Sequence, residues 1–148
     1  MNILSMFNRD DLWDDSTIKY VGRSKNALGL GNPWSHLNAR QARFYVSTPQ
    51  AALDAYRYWL LKKLIPHYLS GMRFVGIEDW EKEYLSKVIQ LSVHIKAGKY
   101  TSLGCWCINI QNYLLVPDGY EKCHAEILYK ACLQLIEQRR NNETILLY

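Results

Sequence analysis

The sequence LGCWC at residues 103–107 decides how the chain folds, together with Cys123 and His124 sixteen residues later. Side chains alternate along a strand, so Cys105 and Cys107 would leave one face of a strand and Trp106 the other. Cys123 and His124 fall where a helix begins, because the apolar residues that follow recur with a largely helical rhythm. We therefore predict that a strand end and a helix start converge on one point.

Such convergence would collect three thiols and one imidazole, a set that binds structural zinc. We predict a tetrahedral zinc held by Cys105, Cys107, Cys123 and His124, with Zn–S distances of about 2.3 Å. The spacing, C-x-C and then C-H after fifteen residues, is not that of a standard zinc finger. The competing interpretation is that these cysteines are core residues, because cysteine is among the residue types most often buried.

Composition indicates one globular domain over residues 1–148, with 49% hydrophobic and 22% charged residues. No apolar run approaches the roughly 18 residues that a membrane span needs, so we expect no membrane association. The N-terminus turns acidic at DDLWDD, where a signal peptide would stay apolar. We therefore expect a cytoplasmic protein with reduced thiols. The net charge of +4 is scattered, which suits an anionic small ligand or weak nucleic-acid contact better than strong binding to a nucleic-acid duplex.

Strand signals are short and widely separated. Residues 1–16 are interpreted as an N-terminal arm or a short helix. The β-branched and aromatic residues of Thr17–Gly22 predict a strand, and Thr101–Cys107 predicts another. Asn109–Val116 is a candidate for an extra short strand, and residues 141–148 are interpreted as a terminal strand or a tail.

Helix signals are stronger. Thr48 as N-cap with proline at the next position predicts a helix to about residue 69, closed by Gly71. A second helix is predicted from an Asp79 cap to Gly98, and a third from residues 123–124 to near residue 140. This order of elements predicts a small α/β domain with helices packed on a short central sheet. A mainly helical α+β protein with a small sheet is the alternative.

A glycine-rich loop, GRSKNALGLGNPW at residues 22–34, follows the first predicted strand. Glycine lets backbone N–H groups approach an anion, and an arginine at the base of the loop adds a cation. The loop is neither a dinucleotide fingerprint nor a Walker loop, so it predicts only an oxyanion or phosphate site. The alternative is a tight connection with its tryptophan in the core. The candidate ligand-binding residues are Gly22, Arg23, Gly29, Gly31, Asn32 and Trp34, the last as a stacking ring.

Three further residues have open roles. His36, just beyond the loop, is a candidate base or phosphate contact. Glu126 lies in the first turn of the last helix, where it either caps the helix or supports a metal-binding side chain without binding the metal itself. Cys132 shares a helix face with Leu128 and Leu135 and is predicted to pack in the core.

The ordered motifs YVGRSKN…LGNPW, PQAALDAYRYWL and LGCWC…CHAEIL resemble an uncharacterised family of small bacterial and bacteriophage proteins, classed as a domain of unknown function. The resemblance runs from about Tyr20 to Leu128 and supplies no activity. It implies that the loop and the cysteine cluster belong to one site. The motif positions are Gly22, Arg23, Gly31, Asn32, Pro33, Tyr56, Trp59, Leu60, Cys105, Trp106, Cys107, Cys123, His124 and Glu126.

The chain departs from the family pattern in two places. Typical members have only a few residues, often including proline, between the second cysteine and the C-H pair, where this chain has fifteen. Typical members also reach the first long helix sooner after GNP, whereas this chain carries LNARQARFYVS first.

Three functions compete at this point. The first is a site for a phosphate-bearing nucleotide or nucleic-acid-derived ligand, with hydrolysis or transfer at a ribosyl or phosphoryl centre if the protein is an enzyme. The second is a non-enzymatic interaction protein, such as a phage-encoded inhibitor of a host defence complex, in which the metal is purely structural; eleven tyrosines and five tryptophans favour it. The third is a redox or nucleophilic role for Cys105 or Cys107.

Overall fold

The fold is built on a parallel three-stranded sheet with the order β1-β5-β2. The strands are β1 (Asn2–Ser5), β2 (Ile18–Tyr20) and β5 (Ser102–Cys105), and β5 pairs with both of the others. β3 (Trp34–Ser35) and β4 (Phe44–Tyr45) form a second, two-stranded parallel sheet. This computed structural model describes residues 1–7, 9–24, 27–37, 41–106 and 116–146, with the backbone alone for 143–146.

The central strand β5 is buried along its whole length. Gly104 makes this possible, because the side chain of Met6 crosses directly over it and a Cβ there would also meet Ile18 Cγ2 at 3.3 Å. The chain beyond β1 and β2 continues the pairing, since Met6 N–H donates to the Cys105 carbonyl at 2.8 Å and Val21 N–H to the Gly104 carbonyl at 2.9 Å. The carboxyl ends of all three strands therefore lie at one edge of the sheet.

Helices pack on this sheet as predicted, which confirms the α/β class. α1 (Pro49–Arg57) begins at Thr48, whose hydroxyl accepts the Ala51 N–H at 3.0 Å. The helical run continues through a π-helix (Tyr58–Leu64), α2 (Ile65–His67) and a second π-helix (Tyr68–Met72), in which Gly71 has φ +100°. Pro66 lies inside this run and has no N–H for the usual helical bond, which accords with the irregular turns around it.

Two more helices complete the layer on the sheet. α3 spans Asp79–Lys96 and α4 spans His124–Leu146. The cap of α3 is Glu78, one residue earlier than predicted, because Glu78 and Glu81 exchange hydrogen bonds in a capping box. The break at Gly98 is confirmed by its φ of +78°. Buried apolar residues of α4, including the predicted core residue Cys132, pack against α3.

The chain termini differ from the prediction. Residues 1–16 are not an arm, because Asn2–Ser5 forms a strand of the main sheet and only Asp10–Leu12 is a short 3₁₀ helix. Residues 141–146 continue α4 instead of forming a strand or a tail. Of the extra strand predicted over Asn109–Val116, all but Val116 lies outside the described residues, as does Cys107 at the end of the strand predicted over Thr101–Cys107.

A pair of buried tyrosines ties the glycine-rich loop to the helices. Tyr84 on α3 donates to the Leu30 carbonyl at 2.9 Å, and the hydroxyls of Tyr56 and Tyr84 lie 2.6 Å apart. A carbonyl only accepts, so the single Tyr84 proton points to Leu30 and Tyr56 must donate to Tyr84. Burial raises the pKa of both hydroxyls, which keeps them protonated and able to donate.

We predict that Tyr84→Phe destabilises the protein by about 1–3 kcal/mol, because it leaves the buried Leu30 carbonyl without a donor. Urea unfolding followed by circular dichroism measures the change. The matched control is Tyr120→Phe, which removes a hydroxyl from a ring that is 74% exposed and should shift stability by less than about 0.5 kcal/mol. Equal stability of wild type and Tyr84→Phe would show that this hydroxyl does not anchor the loop.

Candidate functional site

A cavity of about 560 Å³ opens at the carboxyl edge of the parallel sheet. Open parallel sheets bind ligands beyond the carboxyl ends of their strands, and the volume falls in the range of small-molecule sites. The cavity brings together the start and end of the glycine-rich loop, the residue after β5 and the first residue of α4. Its ten described lining residues are Tyr20, Gly22, Arg23, Ser24, Gly31, Asn32, His36, Gln41, Trp106 and His124.

Arg23 and Gly31 lie against each other on the wall of this cavity. The guanidinium of Arg23 donates to the Asn32 carbonyl at 2.9 Å, which brings the two ends of the loop together. Glycine is required at position 31 because a Cβ there would lie 2.7 Å from the backbone nitrogen of Arg23 and would also meet its side chain. Arg23 therefore carries its positive charge at a place fixed by the loop backbone.

Two other predicted ligand-binding residues serve the fold. The Asn32 amide donates to the Ala52 carbonyl of α1 at 3.0 Å, and its oxygen accepts the Trp34 N–H at 2.9 Å. The Trp34 ring stacks on Phe44 at 4.9 Å between ring centres and packs edge-on against Trp59. Asn32 thus lines the cavity while its amide holds α1, and Trp34 does not line the cavity.

Trp106 is the tryptophan among the described residues that line the cavity. Strand alternation directs it to the opposite side from buried Cys105, and 53% of its surface is accessible. Phe7 and Trp13 contact Trp106 with ring centres 5.6 and 6.1 Å away, and they are also exposed. The alternation in LGCWC predicts Trp106 opposite the thiols, but the ring predicted to stack on a ligand is Trp34, and the structure places Trp106 at the cavity instead.

His124 joins the helix α4 to the loop. Its Nε2 donates to the Val21 carbonyl at 2.8 Å, since a carbonyl can only accept. The ring keeps part of its surface at the cavity, yet burial lowers its pKa, an effect that the Val21 hydrogen bond and Cys105 oppose and that Arg23 reinforces. The neutral imidazole therefore carries its proton on Nε2 and presents the lone pair of Nδ1.

The described part of the predicted zinc set is partly assembled. Cys123 Sγ lies 3.8 Å from His124 Nδ1, and Cys105, close enough to influence that imidazole, is fully buried. Cys107 lies outside the described residues. Within the described residues alone, no three His, Cys, Asp or Glu side chains are arranged to hold a metal ion.

Glu126 caps α4 from inside the protein. Its Oε2 accepts the Lys122 N–H at 2.6 Å and the Cys123 N–H at 3.2 Å, while the whole residue is buried. Its other oxygen, Oε1, makes no hydrogen bond within the part of the chain that the structure describes. The helix-capping interpretation accounts for Oε2 and leaves Oε1 available to a donor.

A buried ion pair positions the turn that leads into this helix. Lys130 on α4 binds Glu121 at 3.0 Å and Asp118 at 3.2 Å, and the Glu121 carboxylate also accepts the Gly119 N–H at 2.8 Å. Arg57 from α1 reaches the same carboxylate at 3.5 Å. The turn before Cys123 is therefore held to two helices, which fixes where α4 begins.

These features define an α/β protein with a ligand-sized cavity where a glycine-rich loop, a strand end and a helix start meet. The chain belongs to the family described as Domain of unknown function (DUF4326), whose model matches residues 7–134. No curated protein and no solved structure matches the chain. Within the described residues, none of the helices has the length and apolarity needed to cross a bilayer.

We predict that the stability of the metal-free protein falls as the pH is lowered through about 6.5, because the unfolded chain binds a proton at His124 that the folded chain resists. The folded pKa is depressed, so the stabilisation is complete above the unfolded value and is lost below it. His124→Gln should reduce the slope of the free energy of unfolding against pH by at most ~1.4 kcal/mol per pH unit. Urea unfolding in chelator between pH 7.5 and 5 measures it.

The matched control is His36→Gln, which removes an exposed imidazole from the same cavity. If both variants flatten the profile equally, burial of His124 is not the cause.

Proposed function

We propose that the cavity binds a phosphate-bearing nucleotide or a nucleic-acid-derived ligand. The observation that carries the proposal is its lining: an arginine, several neutral donors and an exposed indole, with no Asp or Glu among the ten described residues. An anion is attracted by such a wall, and no described carboxylate repels it there. The proposal concerns binding, and catalysis is not part of it.

The two halves of a nucleotide match two parts of the cavity. Gly22 and Gly31 line the cavity beside Arg23, and a guanidinium suits a phosphate. Trp106 offers a half-exposed indole to a base, and stacking on aromatic rings is worth about 1–3 kcal/mol per base. Ser24, His36 and Gln41 supply hydrogen-bonding groups between these parts.

We predict that Trp106→Ala weakens nucleotide binding by roughly 5- to 150-fold, the equivalent of losing one base stack. Isothermal titration with nucleoside mono-, di- and triphosphates measures it. Tyr120→Ala is the matched control, because it removes an exposed ring that does not line the cavity. Failure of every nucleotide to bind wild type at millimolar concentration would sink the proposal.

We further propose that Cys105, Cys107, Cys123 and His124 hold a structural zinc beside this cavity. The described donors support it. Zinc at ordinary bond lengths separates tetrahedral sulfur and nitrogen ligands by about 3.6 Å, close to the 3.8 Å between Cys123 Sγ and His124 Nδ1. The Nε2 bond to the Val21 carbonyl is also the kind of support that metal-binding imidazoles receive.

We predict about one zinc per chain in elemental analysis of protein purified without chelator. Cys123→Ser should lose the metal and unfold at lower denaturant concentration, because the binding energy of a structural zinc contributes to folding. Cys132→Ser is the matched control, since this buried thiol points to the Val88 carbonyl at 3.9 Å and is not in the set. A metal content near zero, or equal metal loss in both variants, contradicts the zinc site.

A second candidate function, a non-enzymatic interaction protein such as a phage-encoded inhibitor, is favoured by the exposed rings of Phe7, Trp13 and Trp106. Clustered exposed aromatics are typical of interaction surfaces. We prefer nucleotide binding because Trp106 also lines the cavity, where an anion-attracting wall accompanies it.

A further inference from the structure

A second cavity, of about 470 Å³, lies on the other side of the segment that follows β2. It shares Tyr20, Gly22 and Ser24 with the first cavity, so the two cavities adjoin at this segment. We call it the lysine cavity, because Lys19, Lys87 and Lys99 line it together with His94. Nothing in the proposed function uses these residues.

Three separate parts of the fold build the lysine cavity. Lys19 lies on β2, which is at one end of the three-stranded sheet. Lys87 and His94 are seven residues apart on α3 and share a helix face with the buried Leu91 between them. Lys99 follows the Gly98 turn after this helix, and its ammonium lies 5.4 Å from the centre of the Tyr100 ring.

The charges in the lysine cavity have one sign. None of its twelve described lining residues is an Asp or Glu. Among the described residues, Lys87 is the only one of the three lysines with an ion-pair partner, Glu83, at 3.4 Å one turn earlier on the same helix. Three lysines line one concave surface, and a wall of this charge attracts a polyanion. The lysine cavity therefore has the electrostatics of a phosphate site.

We infer that both cavities hold one ligand, a single-stranded oligonucleotide, with a base on Trp106 and backbone phosphates in the lysine cavity. This inference rests on the proposed function and names its ligand class. A mononucleotide carries its phosphates at one end and would occupy one cavity. A phosphodiester chain carries a negative charge at every nucleotide, so it can place charge in both adjoining cavities. Stacking on Trp106 needs an unpaired base, which excludes a duplex.

The experiment is a salt titration of binding to labelled oligothymidylates and oligouridylates of one, two, four and eight nucleotides. We expect affinity to rise at least tenfold between one and four nucleotides. For single strands each neutralised phosphate contributes about 0.7 to the slope of log affinity against log salt. The double variant Lys19→Gln/Lys99→Gln should therefore lower the slope for the eight-nucleotide strand by about 1.4.

The matched control is Lys63→Gln/Lys82→Gln, which removes the same charge from two exposed lysines that line neither cavity. Its slope should equal that of wild type. Mononucleotide affinity should be unchanged in the Lys19/Lys99 variant, which also shows that the variant is folded. Trp106→Ala should weaken the binding of both the mononucleotide and the oligonucleotide.

The outcomes separate the two proposals. Mononucleotide binding that depends on Trp106, with no gain from length and identical slopes for both lysine variants, overturns the inference and leaves the proposed function standing. Equal affinity for a duplex of the same length also overturns it. If neither mononucleotide nor oligonucleotide binds, both proposals fail.

Discussion

The hydrogen bond from His124 Nε2 to the Val21 carbonyl connects the two halves of the site across 103 residues of sequence. On one side of it the chain enters the glycine-rich loop through Gly22 and Arg23. On the other side α4 begins, with Cys123 next to the imidazole. Because a single ring bridges the strand end and the helix start, the loop and the cysteine region cannot move independently. Burial keeps this ring neutral, so the bridge has one donor and one lone pair at neutral pH.

The rest of the loop is anchored by polar side chains that, from the sequence, could equally have bound a ligand. Tyr84 holds the Leu30 carbonyl, the Asn32 amide holds α1, and Arg23 closes the loop on itself. Asparagine and glycine in a loop are typical of binding sites, but here the amide satisfies backbone groups and Gly31 relieves a steric conflict. The proposed ligand site therefore relies more on charge and on the Trp106 ring than on the loop amides.

The parts of the fold that could be predicted are those set by short stretches of sequence. The Thr48 cap, the Gly98 break and the helical rhythm after Cys123 act within a few residues, and each appears in the structure as expected. The sequence did not predict β1, because four residues are too few to show a reliable alternation of apolar and polar side chains. Its pairing partner β5 also lies about a hundred residues away. β3 and β4 are shorter still. The convergence of Lys19, Lys87 and Lys99 depends on how α3 packs near β2, which the sequence pattern does not encode.

The proposed zinc and the proposed ligand share one residue, because His124 belongs to the zinc set and also lines the cavity. With Nε2 committed to Val21, a metal can reach only Nδ1, which faces Cys123 and the buried thiols. A metal there would touch no ligand in the cavity, but it would hold the ring that positions Val21 and the loop beyond it. Metal and ligand would then both favour the folded arrangement, so that each raises the apparent affinity for the other whenever the metal-free site is partly unfolded. The match to the family model, over residues 7–134, spans both the loop and the C-H pair.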